Sequence, residues 1–283
     1  LTSLGNNNQL VLKAAQNTKR LFNNCKELNS LTISSDNNAN LIDMSYMFNE
    51  CDKLTNLDLS GLNTENVENM DHTFNNCKNI VSLGTGTNLN TDNVRNMEFT
   101  FSNCEKLTNF GNNNELSIKS AESTSNLFNG CKSLNSLIIS NSGTSPSPLT
   151  DMSYMFSECN QLTNLDLSGL NTANVVNMDH TFNNCNQITS LGTSANLDTS
   201  KVTILAYTFN NCEKINNLGN NNRFVTNAAG TMEYMFNNCK ELNSLTISNL
   251  DSTMLTDMSY MFNNCEKLDS LYLSGLYTGE VLN

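Results

Sequence analysis

The stretch Met-Ser-Tyr-Met-Phe-Asn-Glu-Cys-Asp-Lys-Leu-Thr-Asn-Leu-Asp-Leu-Ser, from Met44 to Ser60, decides how this 283-residue chain is read. Versions of it return along the whole sequence, and each holds one cysteine. The ten are Cys25, Cys51, Cys77, Cys104, Cys131, Cys159, Cys185, Cys212, Cys239 and Cys265, spaced 26, 26, 27, 27, 28, 26, 27, 27 and 26 residues apart. A fixed period in this range marks a solenoid, in which units too small to bury an apolar face alone stack into one core.

Numbered from its cysteine, each copy carries the same apolar positions. Phe stands at −3 in all ten: Phe22, Phe48, Phe74, Phe101, Phe128, Phe156, Phe182, Phe209, Phe236 and Phe262. Leu or Ile stands at +3, and Leu at +6 in every copy but that of Phe110. Met occupies −7 in seven copies, and a small or branched apolar residue occupies −10. Leu57 and Leu59 alternate with polar neighbours, and Thr32–Ile33, Ile138–Ile139 and Thr246–Ile247 add β-branched residues, so this part predicts a strand. Val67, Met70, Phe74 and Cys77 fall on one stripe of a helix, with Asp43, Asn69 or Asp151 placed as an N-cap before the Met. The expectation is an α/β, leucine-rich-repeat-like solenoid of about ten repeats of 26–28 residues. Short parallel strands would form one sheet on one face, with helices of about two turns on the other.

A longer period overlies the first, because Cys51–Gly86 recurs almost verbatim 108 residues later. Residues 1–283 thus read as a single solenoid of four-repeat blocks, each about 107 residues long. The opening Leu1–Asn8 matches Leu107–Asn114 and Ile215–Asn222, which lie mid-repeat, so the chain is expected to be a segment of a longer protein, uncapped at both ends. Asn141–Pro148, Leu10–Asn17 and Arg223–Ala229 depart from the pattern and are expected to bulge at the surface.

A net charge of −12 without basic runs argues against nucleic acid and anionic membrane surfaces. No run of 18 apolar residues suggests a membrane helix. Although Asn occurs 55 times, no Asn-x-Ser or Asn-x-Thr sequon is present, so N-linked glycans are not expected here.

Cysteines 26 apart lack the clustering of a zinc site. Helices stacked about 10 Å apart would hold the thiols too far apart for disulfides. The ten Cys and ten Phe are therefore read as structural ladders, the cysteines as buried free thiols. His72 and His180 repeat one solvated helix position in successive blocks and cannot serve each other. No phosphate loop, nucleophile elbow or zinc-protease motif occurs. The expectation is no enzyme, no catalytic residue, no cofactor and no metal. Two faces remain for binding. The strand face offers Ser30, Thr32, Asn56, Asp58, Asn164 and Asp166, a polar surface that could hold glycans. The other is the −5 position, outward on the helix, with Tyr46, His72, Phe99, Tyr154, His180, Tyr207, Tyr234 and Tyr260, interrupted by Arg20 and Asn126. These rings are expected about one helix diameter apart, as a column for a protein partner or a second solenoid.

The series Met-Ser-Tyr-Met-Phe-x-x-Cys-x-x-Leu-x-x-Leu-x-Leu-Ser resembles the BspA-like leucine-rich-repeat surface proteins, in particular their mycoplasma-type branch. Leu57-Asp58-Leu59-Ser60-Gly61-Leu62-Asn63-Thr64-Glu65-Asn66-Val67 follows that family's unit, with Leu62 in place of its Phe; Phe110–Ser120 lacks the Asp-Leu-Ser step. The resemblance implies display at the cell surface, outside the membrane, for adhesion and protein–protein contact, and it carries no catalytic residues. Expected partners are a surface protein of a host or neighbouring cell, or further copies of the chain; self-assembly into extracellular fibres is the rival role.

Overall fold

The computed structural model describes residues 1–34, 40–84, 89–109, 114–143, 146–192, 194–248 and 254–275. The chain winds into a solenoid whose ten cysteines mark off nine full turns. Among the described residues, nine parallel strands form three three-stranded sheets instead of one. The first holds β1 (Gln9–Val11), β2 (Ser30–Ser34) and β3 (Asn56–Gly61); the second holds β4 (Glu115–Ser117), β5 (Ser136–Ser140) and β6 (Asn164–Gly169). The third holds β7 (Arg223–Val225), β8 (Ser244–Ser248) and β9 (Ser270–Ser274). Between sheets, the described residues make the single bridges Ser82↔Asn109 and Ser190↔Asn217 and isolated backbone bonds such as Leu59 N–H to Leu83 O (3.0 Å) and Leu167 N–H to Leu191 O (2.8 Å).

Glycine explains the breaks. The strand-forming coils carry Thr32, Asp58, Ile138, Asp166, Thr246 or Tyr272 at +7, whereas four coils carry Gly84, Gly111, Gly192 or Gly219 there. Gly84, Gly192 and Gly219 have φ of 108°, 113° and 73°, which ends an extended run. Where Gly-Asn-Asn-Asn follows, the strand is delayed by one loop, and Glu115 pairs with Ile138 as Arg223 pairs with Thr246. Asn8 and Asn222 close these loops by accepting the backbone N–H of Leu4 (2.7 Å) and Leu218 (2.8 Å). Leu10–Val11 and Arg223–Val225 therefore belong to sheet strands, where a surface bulge was expected. At Asn141 the buried amide ties Ser147 to the Asn171 carbonyl; Phe110 lies outside the described residues.

Among the described residues the expected helices are absent. Over Met44–Cys51 the chain makes successive turns, with Met47 N–H bonded to Met44 O (3.0 Å) and Cys51 N–H to Phe48 O (3.1 Å). Tyr46 and Glu50 have φ of 58° and 59°, the sign that a type II turn carries at its third residue. The same sign recurs at −5 and −1 in all ten coils, and an α-helix cannot pass through it. Alternate amides turn outward to the next coil: Met44, Tyr46, Phe48 and Glu50 donate to the carbonyls of Asn69, Asp71, Thr73 and Asn75 at 2.8–2.9 Å. The layer is thus hydrogen-bonded coil to coil, like a sheet. Asp43 and Asn69, expected as N-caps, accept the N–H two residues on, at Ser45 (2.8 Å) and Asp71 (2.9 Å), as Asx turns. Among the described residues, helical turns are confined to the Asn-rich loops, as at Gly5–Asn8 and Asn220–Asn222.

Direct bonding sets the coil spacing near that of strands and lets identical side chains stack. The ten Phe rings form one column with centroids 5.0–6.1 Å apart and nearly parallel planes. Beside it, each thiol from Cys51 onward donates to the Phe carbonyl of the preceding coil, at 3.0–3.2 Å. All ten cysteines are free. Distance is not what keeps them apart, because strand-like spacing lies within disulfide range. Each thiol from Cys51 onward is instead committed to its carbonyl. Burial raises Cys51 and Cys185 to about 12 and pushes Cys77, Cys104, Cys159, Cys212 and Cys239 well above the ordinary thiol value. Asn side chains form parallel amide ladders from coil to coil, for example Asn263 to Asn237 (2.7 Å), Asn237 to Asn210 (2.7 Å) and Asn210 to Asn183 (2.8 Å).

Candidate functional site

The eight rings at −5 meet in two stacks. Tyr46, His72 and Phe99 form the first, with successive centroids 4.5 Å apart. Tyr154, His180, Tyr207, Tyr234 and Tyr260 form the second, at 4.4–4.8 Å. These distances are about half a helix diameter, because the coils are joined by backbone hydrogen bonds with no helices between them. The rings spend their faces on one another and present their edges; Tyr260, at the end of the column, is 59% exposed. Asn126 separates the two stacks. Arg20, which reads as an interruption in sequence, extends the first stack, with its guanidinium 5.0 Å from the centre of the Tyr46 ring.

An acidic row flanks the rings. Asp71, Glu98, Asp179 and Glu233 stand at −6, each immediately before a ring residue. Tyr207 Oη donates to Glu233 Oε1 at 3.3 Å. Burial, followed by the charges of these carboxylates, raises the phenols of Tyr46 (near Asp71), Tyr154 (near Asp179) and Tyr207 (near Glu233) above their ordinary value. His72 Nδ1 lies 2.5 Å from Asp71 Oδ1, and His180 Nδ1 lies 2.8 Å from Asp179 Oδ1. Neither histidine occupies a freely solvated position: each is gripped between two rings and is 22% exposed. An acidic residue directly before four of the eight rings was the sequence signal for this row.

The strand face holds two shallow depressions at equivalent places in successive blocks, ≈ 570 Å³ beside Asp58, Ser82 and Gly84 and ≈ 380 Å³ beside Asp166, Ser190 and Gly192. Both arise where a strand abuts a glycine-broken coil. Asp58 and Asp166 are engaged there by the N–H groups of Ser60 (2.9 Å) and Ser168 (2.8 Å). Among the described residues no three His, Cys, Asp or Glu side chains converge as a metal would require, and no helix is long and apolar enough to cross a membrane.

Against known proteins, residues 5–114, 108–220 and 150–275 match the family described as "Mycoplasma protein of unknown function, DUF285". No curated protein matches. Among solved structures, a leucine-rich cell surface protein from Faecalibacterium prausnitzii is similar at 14% identity and a TM-score of 0.33, over 95% of this chain and 80% of the other. The three matched stretches together run almost the length of the solenoid, so the chain belongs to the DUF285 family.

Proposed function

We propose that this chain is a non-enzymatic cell-surface protein whose solenoid presents the −5 ring column, with its acidic border, to a protein on a host or neighbouring cell. The observation that carries this reading is the column itself: aromatic residues held at positive φ coil after coil, on the outside of the molecule, where the buried Phe and Met columns do not need them. A backbone sign unfavourable for bulky side chains, kept at a surface, is a mark of a site in use. Family membership supports display at the surface.

Beads coated with the full chain should adhere to such cells, and the Tyr207→Ser, Tyr234→Ser, Tyr260→Ser triple variant should adhere several-fold less. The corresponding triple Phe variant preserves the stack, so comparing the two separates lost edges from lost stability; melting curves are recorded for both. Undiminished adhesion by a folded triple Ser variant would overturn the column as the binding face. Filaments in electron micrographs of the wild-type chain, with no cell binding, would favour fibre assembly instead.

A further inference from the structure

The ring column is broken at one place between its two stacks, and the break has the dimensions of a site. Phe99 stacks on His72 on one side and Tyr154 stacks on His180 on the other, each at 4.5 Å. Between them stands Asn126, at the same φ-positive position (58°) as the rings. An Asn side chain ends where a phenyl ring begins. Its amide is also held within its own coil, donating to Ser125 Oγ (2.9 Å) and accepting from Asn129 Nδ2 (2.9 Å). Phe99 and Tyr154 are two coil spacings apart, about 9.5 Å at strand-like spacing. One planar group inserted midway would lie at the 4.4–4.8 Å separation seen elsewhere in the column.

We propose that this slot binds the guanidinium of an arginine presented by a partner protein; the proposal rests on the column being the binding face. Three observations select arginine. Arg20 already extends the same column by laying its guanidinium over Tyr46. Glu98, the residue directly before the Phe99 wall of the slot, is half-buried and makes no ion pair among the described residues. The chain carries a net charge of −12, which draws in a cation and opposes an acidic group. A lysine has the charge without the plane, and an aromatic side chain has the plane without the charge.

The test is titration of the full-length chain, with ¹³C-labelled Phe and Tyr rings, by N-acetyl-arginine amide, with the lysine and phenylalanine amides as comparators. Saturable shifts confined to Phe99 and Tyr154, with the lysine compound at least about fivefold weaker, are expected. Asn126→Tyr fills the slot with the residue that five other coils hold at this backbone position, so it should fold and abolish the shifts. Glu98→Gln leaves the stack untouched and should weaken binding about threefold at low salt. Absent shifts, equal binding of lysine, tighter binding of the phenylalanine amide, or unchanged binding by folded Asn126→Tyr would each overturn the proposal. Asn126→Tyr leaves Tyr207, Tyr234 and Tyr260 in place. Failure here with adhesion still lost in the triple Ser variant would condemn the slot alone, whereas intact adhesion in that variant would condemn the column.

Discussion

At the scale of single residues, the two kinds of ring differ in what they do for stability. Phe74 is fully buried, with Phe48 at 5.5 Å on one face and Phe101 at 5.2 Å on the other. Phe74→Ala should cost about 3–5 kcal/mol through lost burial and the cavity left behind. His72 sits at φ 54°, a conformation costing on the order of 1–2 kcal/mol for an L-residue. Its two ring contacts return roughly 0.5–1.5 kcal/mol each, which offsets that cost. His72→Ala loses the contacts and keeps the strained backbone, so it should destabilise by about 1–2 kcal/mol, where a solvated histidine would be near neutral. Denaturant titration of the two variants checks the order; equal losses would show that the inner and outer columns are misassigned. The strained turns also explain part of the Asn content. Seven of the ten −1 positions are Asn and one is Gly130, residues that tolerate positive φ.

At the scale of elements, the strands were legible and the second layer was not. Alternation at Leu57 and Leu59 gave β3 directly. Apolar residues at −10, −7, −3 and 0 fit a helix of about three turns, but they fit a run of four-residue turns equally well. Two signals favoured the turns: rings at −5 and Asn at −1 recur four apart, and Ser, Thr and Asn, weak helix formers, fill the segment between the apolar residues. The sheet breaks were likewise written in Gly at +7, which a search for apolar positions passes over. The thiol column gives this layer a pH signature. An unfolded thiol releases its proton near 9.0, whereas Cys51 and Cys185 hold theirs to about 12. Between those values the unfolded state binds fewer protons, so stability, complete below the lower value, falls as pH rises toward the upper one. Melting temperature should be level between about pH 6 and 8 and drop above 9, with each buried thiol contributing up to about 1.4 kcal/mol per pH unit. A Cys51→Ala, Cys185→Ala variant should show a shallower drop; an identical drop would mean that those thiols ionise freely in the folded chain.

At the scale of the whole molecule, one repeating device builds both the core and the outer face. Backbone bonds between coils bring every side chain close to its counterpart, so Phe stacks on Phe inside and Tyr on His or Tyr outside, with amide ladders alongside. The repeat period was plain in the sequence, and so was the membership of the ring column, because both depend only on phase. Ring spacing, the role of Arg20 and the division into two stacks at Asn126 were not, because they follow from a coil spacing that phase does not report. That spacing is most directly measured by nuclear Overhauser contacts in the folded chain. Stacked coils require cross-peaks from the Tyr207 ring to both the His180 and Tyr234 rings, whose centroids lie 4.4 and 4.8 Å away. Missing ring-to-ring cross-peaks, with a continuous series of helical i to i+3 contacts from Leu205 to Cys212, would contradict it.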